Sequence, residues 1–217
     1  MRTLNGHTDT VQALAVLSNG DLVSASDDET IRIWNMFTYQ VKRTINAHSD
    51  WIKALSVLEN GYLIASGSFD KTVKIWNSND GELLRELLGH SSAVLALATL
   101  KDDYLASASS DGVIKVWDTL DGRNVRTIHA HSMAIAALAA LPDFRLASGS
   151  DDQKVCVWNL TDGQLVQKFE TKQFVTSLTY SPLGYLLSGS TNGTINVIDS
   201  SNRSFTGHEK WIRSIVV

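Results

Sequence analysis

The segments "TIRIW", "TVKIW", "VIKVW" and "KVCVW" alternate β-branched or apolar residues with polar ones at period two. That alternation predicts short strands with two unlike faces. Turn-forming stretches such as "SNGD", "ENGY", "DDET" and "LDGR" separate the apolar runs, at intervals of roughly ten residues, the spacing of an all-β chain. Two stretches argue locally for helix: Glu82 to Leu88, "ELLRELL", and Ala134 to Leu141, "AIAALAAL". Their counterparts elsewhere, "QVKRTIN" and "WIKALSVL", read as strands. Copies of one unit should share one structure, so strands are predicted for both stretches.

The copies are marked by tryptophans. Trp34, Trp76, Trp117 and Trp158 follow one another at spacings of 42, 41 and 41 residues, and Ile198 continues the register 40 residues later. Histidines mark the other end of each unit at His7, His48, His90, His131 and finally His208, with Thr171 in that place in the fifth copy. Between the markers the units read "LVSASDDETIRIWN", "IASGSFDKTVKIWN", "LASASSDGVIKVWD", "LASGSDDQKVCVWN" and "LLSGSTNGTINVID". Each holds enough turn signals for four strands.

Units of this length that start with Gly-His and end with Trp-Asp resemble the WD-repeat family of β-propellers. The starts are Gly6-His7, Gly89-His90 and Gly207-His208; the ends are Trp34-Asn35, Trp76-Asn77, Trp117-Asp118 and Trp158-Asn159, with Asn for Asp in all but one. The resemblance covers essentially the whole chain, as a single all-β domain over residues 1–217. Five complete four-stranded blades are expected over residues 7–46, 47–88, 89–129, 130–169 and 170–206, with 207–217 beginning a sixth. One extra strand is expected at each end, Arg2 to Leu4 as an outermost strand and Trp211 to Val217 as an innermost one. Family members most often close with seven blades, about 290 residues at this repeat length. The chain therefore reads as a segment of a larger propeller or an incomplete one, with terminal edges that invite edge-to-edge self-association.

Composition narrows the function classes. Nineteen Lys and Arg against 23 Asp and Glu leave a net charge of −4 over 217 residues, so no basic field draws nucleic acid or anionic lipid. The longest nearly unbroken apolar run, Met133 to Leu141, is half the length of a bilayer-spanning helix, so no membrane partner is expected. Cys156 is the single cysteine, and Met1 to Thr10 is polar without the apolar core of a signal peptide. A cytoplasmic or nuclear location is expected.

Each of the first four units carries the residue types of a nucleophilic triad: His7, Ser24, Asp28 with Trp34; His48, Ser66, Asp70 with Trp76; His90, Ser107, Asp111 with Trp117; and His131, Ser148, Asp152 with Trp158. Four near-identical copies argue against an active site, which needs one asymmetric constellation. A buried indole N–H needs an acceptor, a Ser hydroxyl can supply it while donating to imidazole, and an Asp can take the other imidazole N–H. By the resemblance, this clasp ties the inner loop of a blade to its third strand. The fifth unit has Thr171, Ser188, Asn192 and Ile198 at these places and cannot build it. Histidines one per blade do not converge on a metal, and no helix-opening glycine loop is predicted to cradle a phosphate. No cofactor and no metal are expected.

Function then falls to positions that vary between copies. In the family, three positions per blade line the channel mouth: the third and fifth residues after the His, and the residue before the clasp Asp. In this chain the resemblance assigns them to Thr10, Gln12 and Asp27, then Trp51, Lys53 and Phe69, then Ala93, Leu95 and Ser110. Ala134, Ala136 and Asp151 follow, then Phe174, Thr176 and Thr191, and last Trp211 and Arg213. Two aromatics and a cation in the second set form the mixture enriched at interfaces. The basic Lys53 and Arg213 are balanced by the acidic Asp27 and Asp151, which gives no preference for phosphorylated ligands. The expected function is a non-catalytic protein-interaction scaffold that binds a peptide or protein segment at this rim. The alternative is the substrate-recognition module of a larger enzyme complex such as a ubiquitin ligase.

Overall fold

In the computed structural model, which describes residues 2–198 and 203–215, the predicted strands appear as five separate antiparallel sheets of four. The first comprises β1 (Val11–Val16), β2 (Leu22–Ser26), β3 (Thr30–Asn35) and β4 (Gln40–Asn46). The second has β5 (Ile52–Val57), β6 (Leu63–Ser68), β7 (Val73–Asn77) and β8 (Leu83–Leu87). In the third are β9 (Val94–Thr99), β10 (Tyr104–Ser109), β11 (Val113–Asp118) and β12 (Asn124–His129). The fourth runs β13 (Ile135–Leu141), β14 (Arg145–Ser150), β15 (Lys154–Asn159) and β16 (Leu165–Glu170), and the fifth β17 (Val175–Tyr180), β18 (Leu186–Ser190), β19 (Thr194–Val197) and β20 (Ser204–Thr206). No helix occurs among the described residues. The two stretches with helical propensity lie in β8 and β13, where ladder pairing and burial outweigh local preference.

Each sheet is a blade, and successive innermost strands pack in order, β1 on β5, β5 on β9, β9 on β13 and β13 on β17. Between the second and third blades the approach leaves no room for a side chain. A Cβ on Gly67 in β6 would come within 2.6 Å of Val94 in the next blade, so only glycine admits that contact. The core accordingly lies between blades: Ile31, Ile33 and Ile45 of the first pack on Ile52, Ile64 and Trp76 of the second. At the outer edge Arg43, Arg85 and Arg126 each donate to a turn carbonyl of the following blade, Asn79, Leu120 and Thr161, at 2.8, 2.8 and 2.5 Å.

The two flanking strands do not form. Arg2 to Leu4 pairs with no strand, and the Arg2 guanidinium instead lies 4.5 Å from the centroid of the Tyr39 ring. Residues 211–215 also carry no ladder, while Val216 and Val217 lie outside the described residues. A strand needs a ladder partner on at least one side, and among the described residues neither segment has one. The trailing segment nonetheless sits where a sixth innermost strand would. Ile212 donates its backbone N–H to the Ser190 carbonyl at 3.2 Å, and a Cβ on Gly189 would meet its side chain at 2.7 Å. No packing of that kind joins β17 to β1, and Leu14 on the leading face of the first blade is 63% exposed.

Candidate functional site

The innermost strands enclose a channel of about 730 Å³ lined by Gln12, Lys53, Ala136, Thr176 and Arg213 among others. Two sets of polar side chains surround it, clasps inside the blades and a rim at one mouth.

The clasps take the bonding order that the residue chemistry implies in three blades. Trp34 donates its indole N–H to Ser24 Oγ at 2.8 Å, His7 Nε2 lies 2.7 Å from the same oxygen, and His7 Nδ1 is 2.8 Å from Asp28. In the second blade the distances are 2.9 Å for Trp76 to Ser66, 2.7 Å for His48 to Ser66 and 2.7 Å for His48 to Asp70. In the fourth, Trp158 and His131 reach Ser148 at 2.9 and 2.7 Å, and His131 Nδ1 is 3.0 Å from both Asp152 oxygens. Because an ionised carboxylate only accepts, Nδ1 carries the imidazole proton and the serine donates to Nε2.

Burial alone would raise the Asp28 carboxyl, but bonds from Thr30, the Thr8 amide and His7 hold it well below the usual carboxylate range. Asp70 is held low in the same way by His48 and Thr72 against the opposing effect of burial.

The third blade departs from the expectation. Trp117 and His90 reach Ser107 at 2.8 and 2.7 Å, yet His90 Nδ1 is buried without a hydrogen-bond partner, because Asp111 accepts from the Ser91 hydroxyl instead. The cause lies two residues past the aspartate. Thr30 and Thr72 donate to Asp28 and Asp70 at 2.7 Å each and hold those carboxylates beside the ring, and Lys154 lies 3.8 Å from Asp152. At the equivalent place the Val113 side chain offers no hydroxyl or ammonium, only its backbone N–H reaching Asp111 at 3.1 Å, and the carboxylate turns away from the ring. Burial pushes His90 down to about 4, the Asp111 charge partly opposing and the Lys115 charge adding to the fall. This departure is written in the sequence as "DET", "DKT" and "DQK" against "DGV".

In the fifth blade Ser188 Oγ is buried with no partner, Thr171 donates to the Gln173 carbonyl at 2.7 Å, and no clasp exists. The serines of the first four blades lack the access a nucleophile requires. Ser66, Ser107 and Ser148 are fully buried and Ser24 nearly so, and each accepts from an indole that blocks one side. Cys156 is likewise buried in β15, where burial lifts its thiol to about 11 and keeps it protonated.

At the rim, the structure joins residues of two blades that the sequence alone leaves separate. Lys53 Nζ lies 5.7 Å from the Trp51 ring centroid and 5.6 Å from that of Phe69, and the two rings are 5.4 Å apart. From the first blade Asp27 reaches toward the same ammonium at 4.0 Å, its other oxygen accepting from Gln12 at 2.6 Å. The carboxylate is mostly buried and its Oδ1 has no hydrogen bond, so Lys53 is its main charge compensation. Trp51 remains 46% exposed.

The other predicted rim residues do not join this cluster. The Asp151 carboxyl is pushed up by burial and by Asp152, and its backbone N–H pairs with Ala134 across the blade at 3.0 Å. Phe174 is exposed on the fifth blade. Trp211 and Arg213 form a separate aromatic–cation pair 5.9 Å apart, beside Lys210. The Asp27–Lys53 contact crosses from one blade to the next, so no spacing within a single copy could reveal it.

A family model described as "WD domain, G-beta repeat" matches the chain over residues 1–35, 39–77, 81–118, 122–159 and 163–199. No curated protein matches it. Repeats of that kind generally mediate protein–protein interaction or scaffolding and are typically non-catalytic.

Proposed function

The chain belongs to the WD-repeat family, and from that membership we propose that it is a non-catalytic scaffold that grips a protein segment across the channel mouth, with Trp51, Phe69 and Lys53 as the anchor. The observation that carries this reading is the pinned aromatic pair, whose Trp51 is exposed. Lys53 sits against both rings and is itself drawn to Asp27, so the aromatic surface is ordered before any ligand arrives. Ordering beforehand lowers the entropy cost of binding. An exposed tryptophan with a cation at hand is the composition that dominates binding energy at interfaces.

Small side chains support the direction in which a ligand lies. Ala93, Ala134 and Ala136 make the third and fourth blades shallow at the mouth, leaving room beside the second-blade anchor. Catalysis finds no support, since every clasp serine lies buried under its own tryptophan. The reading is tested by replacing Trp51, Lys53 and Phe69 with Ala together and capturing partners from lysate alongside the unaltered chain. Removing an interface tryptophan costs about 2 kcal/mol or more, about a thirtyfold loss of affinity. With the urea midpoint confirming an intact fold, unchanged capture would remove the proposal.

A further inference from the structure

The innermost strands that begin at the rim end at the opposite mouth, and there a second depression of about 520 Å³ opens between the ends of β9, β13 and β17. Its floor is apolar. Leu100, Leu141, Phe144 and Tyr180 line it, with Pro142 at one side. That volume is within the range of ligand-sized pockets. Its margin is acidic, formed by Glu59, Asp102 and Asp143. Lys101 is the single cation among its described lining residues, and Arg145 nearby is already drawn to Asp143 at 3.4 Å.

The turns that build this margin differ from those of the other blades. In the first, second and fifth blades the corresponding turn carries Gly20, Gly61 and Gly184 at φ of 84°, 74° and 88°. In the third and fourth the left-handed positions fall on Asp102 and Asp103, at 59° and 60°, and on Asp143 and Phe144, at 59° and 52°. A phenylalanine adopts that conformation rarely. Here it holds the Phe144 ring edge-on to Tyr104, 5.5 Å away, as the wall between this groove and a smaller hollow beyond it. The Asp102 turn is tied to the second blade by its backbone N–H, which donates to Glu59 at 3.1 Å. Backbone strain is retained where the surrounding structure holds it, and such places are enriched at binding sites.

We propose that this groove is a second docking surface, independent of the rim, and that its occupant is a basic peptide segment that inserts a bulky apolar side chain between Leu141, Phe144 and Tyr180 while its lysines or arginines face Glu59, Asp102 and Asp143. An apolar floor holds the anchor, and the acidic margin selects the flanking charge and fixes the sign of the salt dependence. An acidic segment of the same apolar content is repelled.

The test uses two fluorescein-labelled synthetic peptides of equal length, one alternating lysine with leucine and the other glutamate with leucine, titrated with the whole chain by anisotropy. The lysine peptide should bind and weaken as salt is raised, and the glutamate peptide should not bind. Asp102→Lys with Asp143→Lys, both on exposed turns, should weaken the lysine peptide at least tenfold. Phe144→Gly should do likewise, with the urea transition showing that the chain still folds even though the ring's packing on Tyr104 is lost. Trp51→Ala should change nothing, which separates this surface from the rim. Equal binding of the two peptides, binding insensitive to the groove variants, or loss only in Trp51→Ala would each overturn the proposal. So would a concentration-dependent dimer that the groove variants dissociate, which would give the groove to a second copy of the chain.

Discussion

A serine hydroxyl has one proton and two lone pairs, and in the complete clasps Ser24, Ser66 and Ser148 engage both an indole and an imidazole inside a blade. Ser66→Ala should leave Trp76 and His48 stranded and lower unfolding free energy by about 1–3 kcal/mol in a urea titration. Ser188→Ala should have no cost or a small gain, because that buried hydroxyl has no partner to lose. Equal losses at the two positions would refute the role given to the serine. The third blade supplies a pH test. His90 is held near 4 in the fold against 6.5 ordinarily, so between those values the unfolded chain takes a proton that the folded chain refuses. Stability therefore falls as pH drops through that window, by about 3 kcal/mol at full depression, and His131, also lowered by burial, adds in the same direction. Val113→Thr should draw Asp111 back to the ring, raise the His90 titration measured by NMR, and flatten the difference between urea midpoints at pH 7 and pH 5. An unchanged titration would show that Val113 is not the cause.

Among the elements, the fifth blade is set apart. It has no clasp, β19 and β20 are its short outer strands, and β20 is wholly exposed over its three residues. Amide exchange should show β18 to β20 opening before the corresponding strands of the first four blades, and uniform protection would contradict this. The strands themselves were legible from alternation and from the repeat. Even the alanine-rich β13 followed once its neighbours were taken as copies, because one alignment constrains every unit. The misreadings came from elsewhere. Arg2 to Leu4 and residues 211–215 carry strand-like sequence, but a ladder needs a partner that local pattern does not reveal. The loosened clasp at Asp111 was readable at Val113, yet the threonines that pin Asp28 and Asp70 gain meaning only once their hydroxyls are seen beside those carboxylates. The Asp27–Lys53 contact and the arginine latches between blades join different copies, and a repeat alignment places such residues side by side without joining them.

At the scale of the whole molecule, five blades succeed one another about a channel, and each blade covers the leading face of the next except at the start. Leu14 and Leu138 stand opposite the clasp serines of their blades in identical register, yet one is 63% exposed and the other 9%. Leu14→Glu should change the unfolding free energy from a urea titration by no more than about 0.5 kcal/mol, whereas Leu138→Glu buries an unpaired charge and should cost about 3 kcal/mol or more. Comparable losses would mean that the leading face of the first blade is covered in solution. On the proposed function, rigid blades locked from within leave recognition to the mouths of the channel, with the rim anchor at its centre. The most direct measurement places a photo-crosslinking benzoylphenylalanine at Phe69, with a control at the exposed Phe37 in the turn between β3 and β4. Adducts from cell extract should form at position 69, disappear when Trp51 and Lys53 are replaced by Ala, and be absent at position 37. Adducts of equal yield at the two positions, or adducts at 69 that survive loss of the anchor, would contradict it.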